Sequence, residues 1–434
     1  MRWGMRGMTA GLLAGLSLGA AAEAPSLTGR WSASGEAYGT RIFMNLELKQ
    51  TGDAFTGTLD GSKLTGTVKG RHVHFVAEDG EGTDTFDGDY TGGKLTGMVQ
   101  EAHPNDPDHK TRYALALERV PDFGTGPGKR HDFTPQVFYR GFSPFNAPVL
   151  RVGSGDQIHT STVDAGGVDG DRQKRVLGGN PQTGPFYVEQ AMPGDTLAVH
   201  IDRLTLNRDY AGSDDAIVPR GLSPDLAVKM KDTGKEVRWH LDRERNVATL
   251  EKPGDHTALY QVPLRPMLGC IATAPAPVDG AAPTGDSGNF GGNMDFNQIV
   301  EGATVYLPVS VPGALLYLGD GHAAQGDGEL NGNALETSMD VEVTVTVIRG
   351  HALPGPRVES TGRLIALGYA GSLDDAFRDA TANMADWLER QYGLGPSEIA
   401  EVIGTAAHYE VAEVADRNAG MALSLDKDRL ATLR

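Results

Sequence analysis

Four ionisable side chains stand within eleven residues in the run Gly319-Asp320-Gly321-His322-Ala323-Ala324-Gln325-Gly326-Asp327-Gly328-Glu329, interleaved with four glycines. Carboxylates and an imidazole suit a divalent cation, and glycine lets the backbone turn such groups toward one point. Catalysis at a metal is therefore the first hypothesis. His322 with Asp320 forms the leading ligand pair, and Asp327 is the flanking alternative. Glu329 reads as general base or as a further ligand, because a carboxylate beside a cation can take a proton from water and pass it to a departing nitrogen. Glu336 lies seven residues further on and reaches the same point only if the chain folds back. In the opposing reading Asp320 and Asp327 cap turns and His322 is merely hydrogen-bonded.

Two other segments carry candidate groups. In His159-Thr160-Ser161-Thr162-Val163-Asp164, alternation along an extended chain puts Asp164 on the face opposite His159. His159 then reads as a satisfied histidine. Gly291-Gly292-Asn293-Met294-Asp295 can aim backbone N–H groups at Gly292 and the Asn293 amide at a substrate oxygen, with Asp295 on a metal or on the amide nitrogen; a simple turn is the rival. Other nucleophile schemes find little support. The only Gly-x-Ser-x-Gly match is Gly15 to Gly19, inside an apolar N-terminal run, and no His-Glu-x-x-His occurs. Cys270 sits among Leu268, Ile271 and Ala272 and reads as a small buried residue.

Taken in order, Gly178 to Pro185 with Pro193-Gly194-Asp195, Met267 to Ala272, Gly291 to Asp295, and the acidic glycine run followed by Glu336-Thr337 resemble the acetamidase/formamidase family over about residues 150–350. The resemblance implies a mostly β scaffold with bound metal. It also implies hydrolysis of a small carboxamide to carboxylate and ammonia, with Asp164 matching an acid of the family pattern and placed as a metal ligand. The expected chemistry is attack by a metal-bound hydroxide, with Glu329 moving the proton, zinc as the cofactor and calcium as a second ion. His322 and Asp295 join Glu329 as catalytic candidates, Gly292 and Asn293 as oxyanion donors, and Asp164, Asp320, His322, Asp327 and Glu329 as ligands. A binding protein with a structural calcium site is the alternative, and it gives His322 no role.

These residues need elements to position them. Between Leu27 and Arg119 the pattern apolar-x-Gly-x-apolar recurs, as in Phe55 to Leu59, Leu64 to Val68, Phe86 to Tyr90 and Leu95 to Val99, separated by turn pairs such as Asp60-Gly61. Period-two alternation with such turns predicts an antiparallel β-meander or small barrel over 27–119. Residues 120–130 form a linker, and 131–434 a β-rich catalytic domain with late supporting helices, so the class is mainly β with some α (α+β). Strands are expected at 196–201, 303–309, 315–318 and 341–347. Helices are expected from Leu373 to Tyr392, stopped by Gly393, and from Ser397, as cap, to Tyr409.

Composition sets outer bounds. With 39 Lys and Arg against 57 Asp and Glu, the formal charge is -18, which argues against nucleic acid as a partner. Arg2 and Arg6, an apolar run and Ala20-Ala21-Ala22 read as a signal peptide over 1–22, hence a secreted or periplasmic protein without a membrane span. A homo-oligomer with a small amide as ligand completes the expectation. Cys270 is the only cysteine, so no internal disulfide forms.

Overall fold

The computed structural model describes residues 26–78, 82–103 and 105–433; the expected signal segment lies outside them. They divide into two compact units, residues 26–29 with 47–116 and residues 30–46 with 117–433.

Eight successive strands, from Gly29–Ala37 to Asp106–Arg119, close into a barrel. The repeated motif explains how it fills. Its apolar positions, Phe55, Leu64, Val68, Phe86 and Val99 among them, are buried, and Phe75 stacks on its cross-strand partner Phe86 at 4.7 Å between centroids. The motif glycines make slots for these rings. A Cβ on Gly66 would stand 2.3 Å from Phe55 Cζ. Gly88 and Gly97 face each other across the ladder, and a Cβ on either would meet Phe86 Cζ at 2.5 or 2.6 Å. An eight-stranded barrel is just wide enough for side chains to fill it, and here they do.

The second unit holds a nine-stranded and a twelve-stranded sheet. In the first, Thr196–Leu206 runs antiparallel between Thr304–Pro308 and Met339–Ile348. Val341, Val343, Val345 and Val347 alternate into the main core, as β-branched residues do in a half-buried strand. Helix Leu373–Tyr392 has the expected bounds: Ser372 caps it by accepting from Asp375 N–H at 3.2 Å, and Gly393 ends it at φ 69°. The next helix differs from expectation. It spans Pro396–Ala406, with Gly395 rather than Ser397 at its start and the Gly395 N–H donating to Glu398 Oε2 at 2.8 Å. Tyr409 lies beyond it in strand His408–Glu413, because pairing with Ala419–Asp426 overrides the helical pattern.

The larger correction concerns the acidic glycine run. Its first four residues are not loop but the end of strand Leu316–His322, paired with Met267–Ala272, Gln182–Val188 and Glu336–Thr337. The glycines there make room rather than flexibility: a Cβ on Gly319 would lie 2.4 Å from Gln182 Oε1, and one on Gly321 2.7 Å from Met339 Cε. Among the described residues, no helix is long and apolar enough to cross a membrane.

Candidate active site

Sheet register assembles the site. His322 lies opposite Glu336 on one neighbouring strand and opposite Met267 on the other. Asp320, two residues before His322, shares its face, and Asp295 lies two residues past the end of strand Gly291–Asn293. His322 Nε2 stands 3.1 Å from Glu336 Oε1, 3.5 Å from Asp320 Oδ2 and 3.9 Å from Asp295 Oδ1. Two overlapping ligand sets result, Asp295-His322-Glu329 and Asp320-His322-Glu336, with the candidate ligand atoms of each within 4.8 Å of one another.

The imidazole tautomer follows from its neighbours. Gln325 donates through Nε2 to the Asp295 carbonyl oxygen, so its Oε1 faces His322 Nδ1, at 2.8 Å. An oxygen there only accepts, so Nδ1 carries the hydrogen and Nε2 is turned toward the acids. His322 Nε2, Asp295 Oδ1, Asp320 Oδ1 and Glu336 Oε2 are all buried without a hydrogen-bond partner. Buried polar atoms rarely stay so. These orphaned atoms belong to the same buried cluster, whose groups could hold a cation.

Charge crowding is visible in the ionisation of these groups. Burial, then repulsion from Glu329 and Asp320, pushes Asp295 well up. Burial, reinforced by Glu336 and Asp320, pushes Glu329 up to about 8, and burial with Asp320 nearby pushes Glu336 to about 7. For Asp320 burial acts upward, but the nearby His322 holds it below the ordinary range. Burial opposes protonation of His322, and Glu336 with Asp320 overcome it and push the imidazole well up. Asp295, Asp320, Glu329 and the neighbouring Asn180 also hold left-handed backbone, at φ 40°, 59°, 47° and 56°. Such conformations are unfavourable for residues other than glycine and gather at functional sites.

Gly269 was quoted above only as part of a motif, yet it makes the space. A Cβ there would lie 2.4 Å from Asp295 Oδ1, 2.6 Å from Asp320 Oδ2 and 2.9 Å from His322 Cε1.

Residues 278–359 match the model of the Acetamidase/Formamidase family. A formamidase predicted in Schizosaccharomyces pombe is 30% identical over 210 residues, which are 38% of this chain and 51% of that protein, so the match spans about half of the relative's length. Two solved structures cover 70% of this chain at a TM-score of 0.60. They are a predicted acetamidase/formamidase of Thermoanaerobacter tengcongensis, 29% identical over 98% of its chain, and an acetamidase of Bacillus halodurans, 28% identical over 99%. Over residues 278–359 the chain matches the acetamidase/formamidase family, and over a longer stretch it resembles these two structures.

Within the second unit the remaining candidates sort clearly. Asp164 is not in the cluster: its Oδ2 pairs with the buried Arg208 Nη1 at 2.8 Å and its Oδ1 accepts from Val168 N–H, so a guanidinium and a turn use it. Asp327 is exposed and accepts from Asn297 Nδ2, carried outward by the turn after His322. Gly292 is no oxyanion donor at the cavity, because it is a strand position paired with Ile271 on one side and Ser287 on the other. Asn293 positions rather than stabilises. Its Nδ2 donates to Asp295 Oδ2 at 2.5 Å and to Asp416 Oδ2 at 2.6 Å, and its Oδ1 accepts from Asn180.

His159 is held by Asp132 at 2.8 Å on the sheet's outer side, as the alternation suggested. Cys270 is buried, and burial with Asp320 and Asp295 nearby drives its thiol pKa well up, the opposite of what a nucleophile requires. Glu336, the weakest of the sequence candidates, stands nearest to His322 Nε2 of the three acids measured from it. Gln325 stands inside the acidic glycine run without a role read from it, and Asp416 carried no signal in the sequence.

The cluster opens into a cavity of about 630 Å³ whose wall includes Asp320, Glu329, Glu336, Asn180, Asn293 and Asp416. Glu329 Oε1 accepts from Ala334 N–H at 2.9 Å, which fixes the side chain on that wall.

Proposed function

We propose that this chain is an amidohydrolase that cleaves a linear carboxamide to carboxylate and ammonia at a divalent cation. The relatives' names support the reaction class, and the site geometry supports the cation. One observation carries the second point: the hydrogen on His322 Nδ1 is committed to Gln325, so Nε2 is turned to the Glu336, Asp320 and Asp295 carboxylates, and Nε2 and one oxygen of each of these acids are buried without a hydrogen-bond partner. Among these acids the metal-free imidazole is driven to take a proton, and a cation among them would supply that positive charge instead. The donor set fits such an ion: Asp320, His322 and Glu336 would hold it, with Asp295 and Glu329 beside them.

One nitrogen among hard oxygens suits zinc or a related first-row ion. It disfavours the all-oxygen calcium site of a purely structural protein. A bound ion supplies Lewis acidity toward a carbonyl oxygen and brings the pKa of water toward neutrality. The protein's part is proton transfer and orientation. Glu329, with its pKa raised to about 8 by burial and neighbouring acids, takes a proton from water and returns it to the departing nitrogen, for which a pKa near the working pH is favourable. Asn293, held by Asn180 and Asp416, fixes the Asp295 carboxylate, and Gln325 fixes the His322 ring.

The test is ammonia release from a panel of carboxamides before chelation, after it, and after zinc is restored. Activity should be lost with the metal and return with it. An undiminished rate in protein shown by elemental analysis to be metal-free would overturn the assignment.

A further inference from the structure

Resting on the amidohydrolase reading above, we propose that the natural substrate is a primary amide whose acyl chain is several atoms longer than acetyl and ends in an ionic head group. The cavity volume of about 630 Å³ lies in the range that encloses ligands of drug size. At roughly 30 Å³ for each water-sized group, acetamide would occupy about a fifth of it. An amide whose carbonyl sits at the acidic cluster therefore leaves most of this solvent-open cavity free for a longer acyl chain.

The outer wall says how that chain ends. It is the hairpin of strands Tyr210–Asp214 and Glu236–Asp242, fastened to the cluster because Gly212 pairs with Glu336 on one side and with Arg238 on the other. Its Asp214, Glu236 and Arg238 line the cavity, as does Lys174 from outside the hairpin, so the cavity offers anions and cations together. An apolar chain laid there would strip water from these ions without replacing their hydrogen bonds, which is costly. A head group with its own ammonium and carboxylate would exchange one set of hydrogen bonds for another. The wall is also held in place beforehand: the Arg238 and Arg208 guanidiniums lie 5.7 and 4.2 Å from the Tyr210 ring centroid. Gly212 itself leaves the passage open, since a Cβ there would find its nearest neighbour, Glu236 Oε1, at 4.0 Å.

The deciding measurement is kcat/KM of the metal-loaded full chain for acetamide, pentanamide and L-glutamine, the last two matched in length and different in head group. L-Glutamine is expected to exceed acetamide at least tenfold and to exceed pentanamide as well. Gly212→Leu, which narrows the passage, is expected to lower the L-glutamine to acetamide ratio at least tenfold. Acetamide as the best substrate, or pentanamide equal to L-glutamine, overturns this inference while leaving the amidohydrolase reading intact. No ammonia from any of the three overturns both. The wild-type series alone decides, even if the Gly212 variant fails to fold.

Discussion

A methyl group at position 269 would collide with the Asp295 and Asp320 carboxylates and with the His322 ring at once, so the smallest substitution there is a sharp probe of the site. Gly269→Ala should remove bound metal and lower amide turnover by at least about a hundredfold, as loss of ligand geometry does, while circular dichroism stays that of a β protein. Stoichiometric metal in a folded Gly269→Ala chain would show that the three side chains do not converge on one ion. Gln325→Ala addresses the tautomer instead. It frees His322 to carry its hydrogen on either nitrogen, and the expected cost is about 10–100-fold in metal affinity, the usual effect of losing a ligand's hydrogen-bond partner. Unchanged affinity by competition with a chromophoric chelator would mean that Gln325 does not orient the ring.

At the scale of elements, the barrel glycines make a stronger claim than turn propensity. Gly66→Ala places a methyl 2.3 Å from Phe55 Cζ and 2.6 Å from the His74 carbonyl oxygen, and overpacking of this kind costs about 1–3 kcal/mol. A barrel transition that falls by several degrees in calorimetry is expected, and an unchanged one would show that the ring has somewhere else to go. The same contacts explain what the sequence could reveal. Period-two repeats with turn pairs disclose a barrel, and helix Leu373–Tyr392 with its Gly393 stop is legible to the residue, because those signals are local. The acidic run was only half legible. Its glycines read as a loop because nothing in the sequence says that Gly319 faces Gln182 or that Gly321 faces Met339. Glu336 was undervalued for a similar reason: only the register that sets His322 opposite Glu336 brings it into contact, and register is a property of two strands. Asp164 was overvalued because no sequence pattern shows that Arg208, forty-four positions later, reaches back to pair with it.

For the molecule as a whole, buried acid determines how stability depends on pH. Glu413 is fully buried, its Oε1 has no hydrogen-bond partner, and burial lifts its pKa from 4.5 to about 8. Glu329 and Glu336 move the same way, to about 8 and about 7. Between pH 4.5 and 8 the folded metal-free chain thus holds protons that the unfolded chain has released. Stability rises with pH only where the unfolded state binds more protons, so here it must fall across that window. The net charge of -18 acts in the same direction by self-repulsion. A bound cation favours ionised Glu329 and Glu336 and removes their share of the slope, leaving that of Glu413. Denaturant midpoints of chelated protein should therefore decline steadily from pH 5 to 8, those of zinc-loaded protein less so, and the gap between them should widen with pH. Glu413→Gln, which cannot ionise, should flatten both curves and be the more stable chain at pH 8. A chelated protein that gains stability from pH 5 to 8 would mean that these carboxyls are ionised in the fold without help, and the case for a cation among them would be lost.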